Sequence, residues 1–158
     1  MLGRRRRAFW RDDGASAVEL ALVLPILIML VFGIIAFGIV FAQSLALGNA
    51  AREGSRAGVV EQRTCGEILG RVQDAANSIA MSGDNVVVEV TRTGAGTTCP
   101  AGTSYSGPAA DVVPCVGSDS GDEITVTATF DSELVIPLVF ANPSFDLLGT
   151  GVFRCEFS

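Results

Sequence analysis

The longest apolar pattern in this chain lies near its N-terminus. No charged side chain occurs between Glu19 and Arg52, and residues 20–42 read LALVLPILIMLVFGIIAFGIVFA. A helix needs about 20 apolar residues to cross roughly 30 Å of hydrocarbon, so this segment is long enough to span a membrane. The next residues, QSLALGNAAREGSRAGVV, keep helical character but are less apolar. The pattern therefore predicts one long helix over residues 15–62 that leaves the bilayer and continues outside it.

Shorter periodic segments follow the long helix and alternate with turn-forming residues. An apolar stripe at helical spacing predicts a second helix over residues 66–82 that ends at Gly83. The members of this stripe are Ile68, Leu69, Val72, Ala76 and Ile79. Apolar and polar residues alternate in NVVVEVTR at 85–92 and in EITVTATF at 123–130, and both segments predict strands.

The rest of the C-terminal region predicts a long loop and one more strand. Residues 93–121 are rich in Gly, Ser, Thr and Pro and are predicted as a loop, of a length that is unusual without internal structure. GVFRCEFS, at residues 151–158, predicts the last strand. ELVIPLVFANPSFDLLG, at 133–149, is unusually apolar, and it either covers the core or forms an exposed docking patch. Three antiparallel strands against one or two helices predict an α+β fold, with an outer domain at residues 63–158.

Charge divides the chain into a basic head and an acidic outer part. Residues 1–13 contain five arginines and two acids, a net charge of +3, whereas residues 59–158 contain four arginines and thirteen acids, a net charge of −9. Short Arg-rich flanks stay on the cytoplasmic side, so the residues after 58 are predicted to lie outside the cytoplasm. The acidic outer part argues against nucleic acid as a partner. The basic leader, residues 1–14, suits the anionic inner leaflet of a membrane.

A cleaved secretory signal is the alternative interpretation of the apolar segment. The apolar core of a signal peptide is usually about 7–15 residues long and ends at a cleavage site of small residues. Here the apolar run is longer, and the small residues Gly14, Ala15, Ser16 and Ala17 precede it. A retained single-pass helix is therefore favoured, with the N-terminus inside and the C-terminus outside.

The cysteines indicate disulfides. Cys65, Cys99, Cys115 and Cys155 all lie beyond the apolar segment. An even number of cysteines in a small exported domain predicts two disulfides, and four cysteines allow three pairings. The favoured pairing joins Cys99 to Cys115, within the predicted loop, and Cys65 to Cys155. Zinc binding is disfavoured because no two cysteines are closely spaced and the chain has no histidine.

The composition excludes several enzyme classes. A chain without histidine contains neither a Ser-His-Asp nor a Cys-His arrangement. The glycines of GAGTTCPAG do not precede a helix, and no phosphate-binding glycine pattern follows a predicted strand. Calcium binding at Asp111, Asp119 and Asp122 has no supporting motif. The sequence therefore predicts a protein that is not an enzyme and that needs no cofactor or metal.

The start of the apolar segment is the first candidate functional site. Glu19 opens this segment, and a carboxylate within a membrane helix is costly, though less so near the interface. If the chain were cut after Gly14, the free amine of Ala15 would lie four residues from Glu19, about 6 Å along a helix. The amine of a neighbouring molecule could then pair with Glu19; alternatively, Glu19 rests in the inner headgroup region. Pro25, which lacks a backbone donor, is predicted to kink the helix.

The segment AAREGSRAG at residues 50–58 is the second candidate functional site. Arg52 and Arg56 are four residues apart and share a helix face, with Glu53 beside them. We call Arg52, Glu53, Gly54 and Arg56 the membrane-exit motif. It forms either an interfacial belt, in which arginine stems follow apolar surface, or a contact with another subunit or with the acidic outer domain. The small residues around Gly54 would allow a helix or the strands to approach closely.

These motifs together resemble one known family. GASAVELALVLP at residues 14–25, the long apolar run and AAREGSRAG are similar to the TadE-like family, whose members are pilin-like components of the tight adherence pilus, within the type IV filament superfamily. The resemblance is strong over residues 14–58 and loose elsewhere. It implies a bacterial inner-membrane protein that a prepilin peptidase cuts after Gly14, with Glu19 as the fifth mature residue.

The resemblance also implies partners and a role. Other pilins and inner-membrane pilus assembly proteins, together with membrane lipid, would contact the helix, which would act through packing and without catalysis. Major pilins of this system usually have Tyr after the Glu, whereas Leu20 follows Glu19 here and the chain is far longer. Both differences favour a minor pilin or pseudopilin, and entry into the surface pilus stays open. The alternative function is that of an unprocessed single-pass membrane-anchored binding or sensor protein.

Overall fold

The fold consists of one very long helix, a short helix and one sheet. The computed structural model describes residues 12–60, 62–78, 81–119, 121–133 and 144–156. Within these ranges the two helices are α1 (Asp12–Val60) and α2 (Cys65–Ala76). The strands are β1 (Val87–Arg92), β2 (Gly96–Gly102), β3 (Glu123–Glu133) and β4 (Ser144–Arg154). All pairs are antiparallel, and the sheet order is β2-β1-β3-β4, so the predicted α+β fold is confirmed.

α1 confirms the predicted long helix, with bounds Asp12–Val60 in place of 15–62. Its residues divide into two parts by burial. No described side chain from 14 to 42 is buried, whereas from Gln43 onward the residues on one face are covered by the sheet and by α2. α1 therefore extends well beyond the compact part of the molecule at its N-terminal end.

α2 begins at a capping box. The hydroxyl of Thr64 accepts a hydrogen bond from the N–H of Glu67 at 3.4 Å, and the Glu67 carboxylate accepts one from the N–H of Thr64 at 3.0 Å. The backbone hydrogen bond from Thr64 and the guanidinium of Arg63 hold the pKa of Glu67 below its ordinary value. These reciprocal bonds satisfy two N–H groups that a helix start otherwise leaves without partners.

α2 ends earlier than the predicted range of 66–82, at Ala76. Asn77 leaves the helical conformation, and its side-chain oxygen accepts a hydrogen bond from the N–H of Gly83 at 2.9 Å. A side chain on Gly83 would overlap the carbonyl of Gln73, so Gly83 packs against the last turn and does not itself end the helix. The buried face of α2 is as predicted, and Ile79 lies outside the described residues.

The sheet has four strands where three were predicted. β2 lies inside the predicted loop 93–121, because Gly94, at φ 83°, turns the chain back into a hairpin with β1. β2 is an edge strand, a position that tolerates Pro100. β4 begins at Ser144, seven residues before the predicted start of the last strand. Residues 134–143 of the apolar stretch lie outside the described residues.

The hydrophobic core lies between the inner face of the sheet, α2 and the C-terminal part of α1. Alternation along β1 and β3 buries the side chains that the period-two pattern predicted, except that Phe130 is only partly buried. The buried members on these two strands are Val88, Val90, Ile124, Val126 and Ala128. The opposite, outer face of the sheet carries Thr125, Thr127 and Thr129 of β3.

The predicted cysteine pairing is wrong. The disulfides join Cys65 to Cys99 and Cys115 to Cys155, with Cα–Cα distances of 5.8 and 5.7 Å. β2 explains the first bond, because it places Cys99 in the core beside the first residue of α2. The second links the turn that contains Cys115 to the end of β4. Each closes a loop of 34 or 40 residues, for which the chain-entropy relation gives about 4 kcal/mol of stabilisation.

Arg92 holds that turn against the sheet. Its Nη1 donates hydrogen bonds to the carbonyls of Pro114 and Val116 at 2.9 and 3.0 Å, and its Nε lies 3.9 Å from the carboxylate of Asp122. The same end of the sheet receives β4, since the N–H of Cys155 donates to the carbonyl of Asp122 at 2.8 Å. The second disulfide therefore forms where three segments already meet.

Candidate functional site

The N-terminal half of α1 presents apolar side chains to its surroundings. Among the described residues, one helix is long and apolar enough to cross a membrane, and it covers Gly14–Val60. Residues 20–42 extend about 34 Å at the α-helical rise, which exceeds the roughly 30 Å hydrocarbon thickness. Exposed large side chains follow this segment on every side of the helix, including Leu22, Ile26, Ile34, Phe37 and Phe41. An apolar surface of this size is consistent with a membrane anchor.

The residues of the first candidate site lie together near the start of α1. Gly14, Ala15 and Glu19 are all exposed on the helix, and Ala15 lies one turn before Glu19. A side chain on Gly14 would have no neighbour within 4 Å. Pro25 lies inside α1, six residues after Glu19. Cleavage after Gly14 and a register role for Glu19 stay predictions.

Gln43 is the first buried residue of α1 among those that the structure describes. The Ser132 hydroxyl donates a 2.7 Å hydrogen bond to the side-chain oxygen of Gln43, and these side chains are only 3% and 2% exposed. A buried polar group is costly without a partner, so this bond fixes the end of β3 at one height on α1. The sequence contains no signal for the pair, because its members are 89 residues apart.

Two glycines of β4 bring the sheet against the backbone of α1. A side chain on Gly149 would overlap the Leu47 carbonyl, and one on Gly151 would overlap the Ala51 carbonyl and the hydroxyl of Ser55. Glycine inside a strand weakens the strand and often marks a close backbone approach. That signal was present in the sequence FDLLGTGVF, and the sequence analysis missed it.

Small residues of α1 provide the other half of this contact. A side chain on Gly54 would overlap Val72 of α2, and one on Gly58 would lie 2.8 Å from the Ile124 side chain. We call the buried small and apolar residues of this region the helix seat. They are Leu47, Ala50, Ala51, Gly54, Ser55, Ala57 and Gly58. The small residues of AAREGSRAG thus pack within the same molecule, against α2 and β3.

The charged residues of the membrane-exit motif point away from the sheet. Arg52 donates hydrogen bonds to the Gly48 carbonyl at 3.1 Å and to the Asn49 side chain at 2.8 Å, and it stays exposed. Glu53 lies 3.9 Å from Arg71 of α2, and Arg56 is exposed. The motif therefore has two sides, with Gly54 buried inside the seat and Arg52 and Arg56 exposed on the outer side of the helix.

Tyr105 is a further polar contact that the sequence analysis missed. Its hydroxyl donates a 2.6 Å hydrogen bond to the carbonyl of Val88 in β1, and its ring lies against Gly102 of β2. Burial, with a smaller contribution from the negative charge of Glu89, raises the pKa of Tyr105 to about 12. This geometry makes Tyr105 a structural clamp on the β1–β2 hairpin.

The described residues show little that resembles a catalytic centre. Within them, no group of three or more His, Cys, Asp or Glu side chains could hold a metal ion. All four cysteines form disulfides, so none carries a free thiol. What the arrangement does offer is an exposed apolar helix of membrane-spanning length that is rigidly joined to a disulfide-linked domain.

Comparison with known protein families agrees with this arrangement. Residues 14–56 match the family model described as TadE-like protein. The matched segment covers the exposed part of α1 and most of the helix seat, and residues 57–158 lie outside it. Comparisons with curated proteins and with solved structures gave no match.

Proposed function

We propose that this chain, which is TadE-like over residues 14–56, is a minor pilin or pseudopilin that acts in assembly of a tight adherence pilus. Its N-terminal helix is the assembly element and its outer domain is an interaction module. The helix works through packing against other helices, and no catalytic step is involved.

One observation carries this proposal. α1 is a single continuous helix in which no residue from 14 to 42 is buried, while its residues from 43 onward form the seat of a folded domain. A protein that needed α1 only as a tether would not require a rigid junction at Gln43. A rigid junction is useful when the position of one helix among its neighbours must determine the position of the domain.

The proposed mechanism begins at the leader. A prepilin peptidase cuts after Gly14, which removes the basic residues that retain the N-terminus at the cytoplasmic face. The new amine of Ala15 then pairs with Glu19 of a neighbouring helix, and the pairing compensates a carboxylate that lipid disfavours. Each pair offsets two adjacent helices along their axes by the four residues between Ala15 and Glu19, about 6 Å. The free helix can afterwards leave the bilayer.

The proposed location follows from the same elements. The chain crosses the bacterial inner membrane once, with its N-terminus inside and the outer domain outside. Two disulfides suit an oxidising compartment beyond that membrane. The partners are the peptidase, other pilins, inner-membrane assembly proteins and lipid.

The mass of the mature protein tests processing. In cells that carry the pilus system, we expect a chain that begins at Ala15, and a Gly14→Val variant that keeps its leader. An intact leader in the wild-type protein would instead favour the unprocessed membrane-anchored binding or sensor protein. Deletion of the peptidase gene is the matched control, because it should preserve the leader without any change in this chain.

Glu19→Ala and Glu19→Gln test the register role. Both variants should be processed normally and should lose pilus assembly in a strain where deletion of this chain abolishes piliation. Asp84→Asn, a change at an exposed carboxylate of the outer domain, should leave assembly unchanged. Normal piliation with Glu19→Ala would contradict the register mechanism, and normal piliation after deletion of the whole chain would contradict the assembly function itself.

A further inference from the structure

The outward side of α1, opposite the helix seat, forms an exposed ridge. Its members are spaced at helical intervals and point away from the sheet and from α2, and we call them the outward ridge. They are Leu45, Asn49, Arg52 and Arg56. The ridge carries two positive charges, while the carboxylate of Glu53 beside it is directed to Arg71. It is therefore a basic feature on a chain whose residues beyond 58 are strongly acidic.

The outer face of the sheet lies on the opposite side of the molecule. Cross-strand pairing aligns Glu89 with Thr127 and Thr127 with Thr150 in one row across three strands. The outward-facing rows on either side of this one end on β4 in Leu148 and in Val152. These side chains are 62% and 52% exposed, respectively. We call Glu89, Thr127, Leu148, Thr150 and Val152 the outer sheet face. Glu89 lies between the rows that contain Leu148 and Val152, and the same side of the sheet also carries the carboxylates of Glu123, Asp131, Glu133 and Asp146 and the guanidinium of Arg154.

The ridge and the outer sheet face stand at the same height along α1. Gly149 contacts α1 at Leu47 and Gly48, and Gly151 contacts it at Ala51. Thr150 lies between these two glycines, so the row that contains it is level with α1 residues from about 48 to 51, given rises of about 3.3 Å per strand residue and 1.5 Å per helix residue.

The chemistry of the two surfaces matches at these heights. The row of Glu89 lies level with Asn49 and within one helical turn of Arg52. By the same rises, Leu148 lies level with Leu45, about four helix residues closer to the membrane segment than the row of Glu89. A carboxylate therefore faces a guanidinium, and an exposed apolar side chain faces another, when two copies stand side by side at equal height.

Membrane anchoring imposes equal height on copies before the Ala15–Glu19 pairing offsets their helices, and this step rests on the proposed function. Copies that share one bilayer and one orientation can meet only through surfaces at matching levels. We propose that the outward ridge of one copy packs on the outer sheet face of a second copy of this chain, with Arg52 against Glu89 and Leu45 against Leu148. Because the two surfaces lie on opposite sides of the molecule, the contact is head-to-tail and produces an open row of copies.

Cysteine cross-linking in membranes tests this arrangement with the full chain. All native cysteines form disulfides, so introduced cysteines supply the reactive thiols. A variant with both Asn49→Cys and Thr150→Cys should give a ladder of dimers, trimers and higher products under mild oxidation. Either single variant should give no ladder, and mixing the two single variants, each with its own tag, should give only mixed dimers.

The controls fix what each outcome means. Asn49→Cys combined with Asp111→Cys, which is exposed but lies outside the outer sheet face, should give no ladder. Equally strong products from this pair would overturn the proposal, because they would indicate random collision. Dimers of Asn49→Cys alone would also overturn it, since they require a symmetric ridge-to-ridge contact. Cross-links only to another pilin would mean that the occupant is not a second copy.

Charge reversal separates a specific contact from a folding defect. In the double-cysteine background, Arg52→Glu and Glu89→Arg should each lower the ladder yield about five-fold, as expected for a lost partly exposed ion pair that becomes a like-charge pair. Their combination should restore the yield. Loss without restoration would overturn the Arg52–Glu89 contact. Because the ladder is measured in the membrane, it can form even where deletion of the chain leaves piliation normal, so failure of the proposed function is distinguishable.

Discussion

Gly151 is a residue at which a single added methyl group should strongly destabilise the contact between β4 and α1. Gly151→Ala would place a Cβ within the backbone of Ala51 and the hydroxyl of Ser55, and neither backbone can move without separating α1 from β4. Overpacking of this kind costs about 3 kcal/mol. We expect the free energy of unfolding of the detergent-solubilised chain to fall by that amount in denaturant titrations.

Gly70→Ala is the matched control for this change. Gly70 lies in α2, where an added Cβ meets nothing within 4 Å, so alanine should stabilise the protein by about 0.5–1 kcal/mol through its better helix propensity. The contrast between the two glycines isolates the contact with α1 from general effects of glycine replacement. Equal effects at both positions would contradict the close approach of β4 to the helix.

Tyr105 should titrate abnormally, and it can be observed directly because it is the only tyrosine in the chain. Its folded-state pKa is raised from 10.0 to about 12, so the folded protein holds the phenol proton more tightly than the unfolded chain does. The Tyr105 contribution to stability is therefore fully present below pH 10 and is lost as the pH rises toward 12. Phenolate absorbance should have its midpoint near 12 in the native protein and near 10 in denaturant.

Tyr105→Phe tests the same hydrogen bond through the stability of the protein. The variant loses the hydrogen bond to the Val88 carbonyl and should be about 1 kcal/mol less stable near neutral pH. It should also lose the extra alkaline destabilisation that wild type shows above pH 10. A native midpoint near 10 would contradict the clamp on the hairpin.

At the scale of the elements, the capping box should stabilise the N-terminus of α2. Thr64→Ala removes the hydroxyl that accepts from the N–H of Glu67 and should cost about 1 kcal/mol. Glu67→Gln should cost less, because glutamine can still accept from the N–H of Thr64. Thermal unfolding of the two variants measures the difference. A larger loss of stability in Glu67→Gln than in Thr64→Ala would mean that the ion pair with Arg63 stabilises the start of α2 more than the capping hydrogen bonds do.

Local patterns predicted the elements well where one face is buried. The stripe of Ile68, Leu69 and Val72 and the alternation in β3 both describe residues whose environment follows from their own periodicity. β2 was missed because GTTCPAG has no alternation and owes its strand conformation to pairing with β1. The end of α2 was misplaced for a related reason, since Asn77 ends the helix through a bond to Gly83 six residues later.

For the whole molecule, sequence reasoning predicted what the chain contains but not which parts meet. The apolar run and the membrane-exit motif were both visible as local composition. The cysteine pairing was wrong because it depends on where β2 and β4 place Cys99 and Cys155 in space. The buried Gln43–Ser132 bond was invisible for the same reason. Long-range contacts of this kind require the topology first, and the topology was set by a strand that has no signal of its own.

The helix seat predicts which fragment of this protein can fold. The inner face of the sheet contacts α1 through Gly149 and Gly151, and removal of α1 would expose that face together with the side chains that cover Gly54 and Gly58. A fragment of residues 43–158, which keeps the seat and omits the apolar segment, should therefore be soluble, form both disulfides and unfold cooperatively. A fragment of residues 63–158 has the same cysteines, so it is a control for disulfide formation as such. Because it lacks the buried Leu47, Ala50 and Ala51, it should expose apolar surface and form mixed disulfides. Cooperative unfolding of the shorter fragment at the same denaturant midpoint would contradict the view that the end of α1 is part of the domain core.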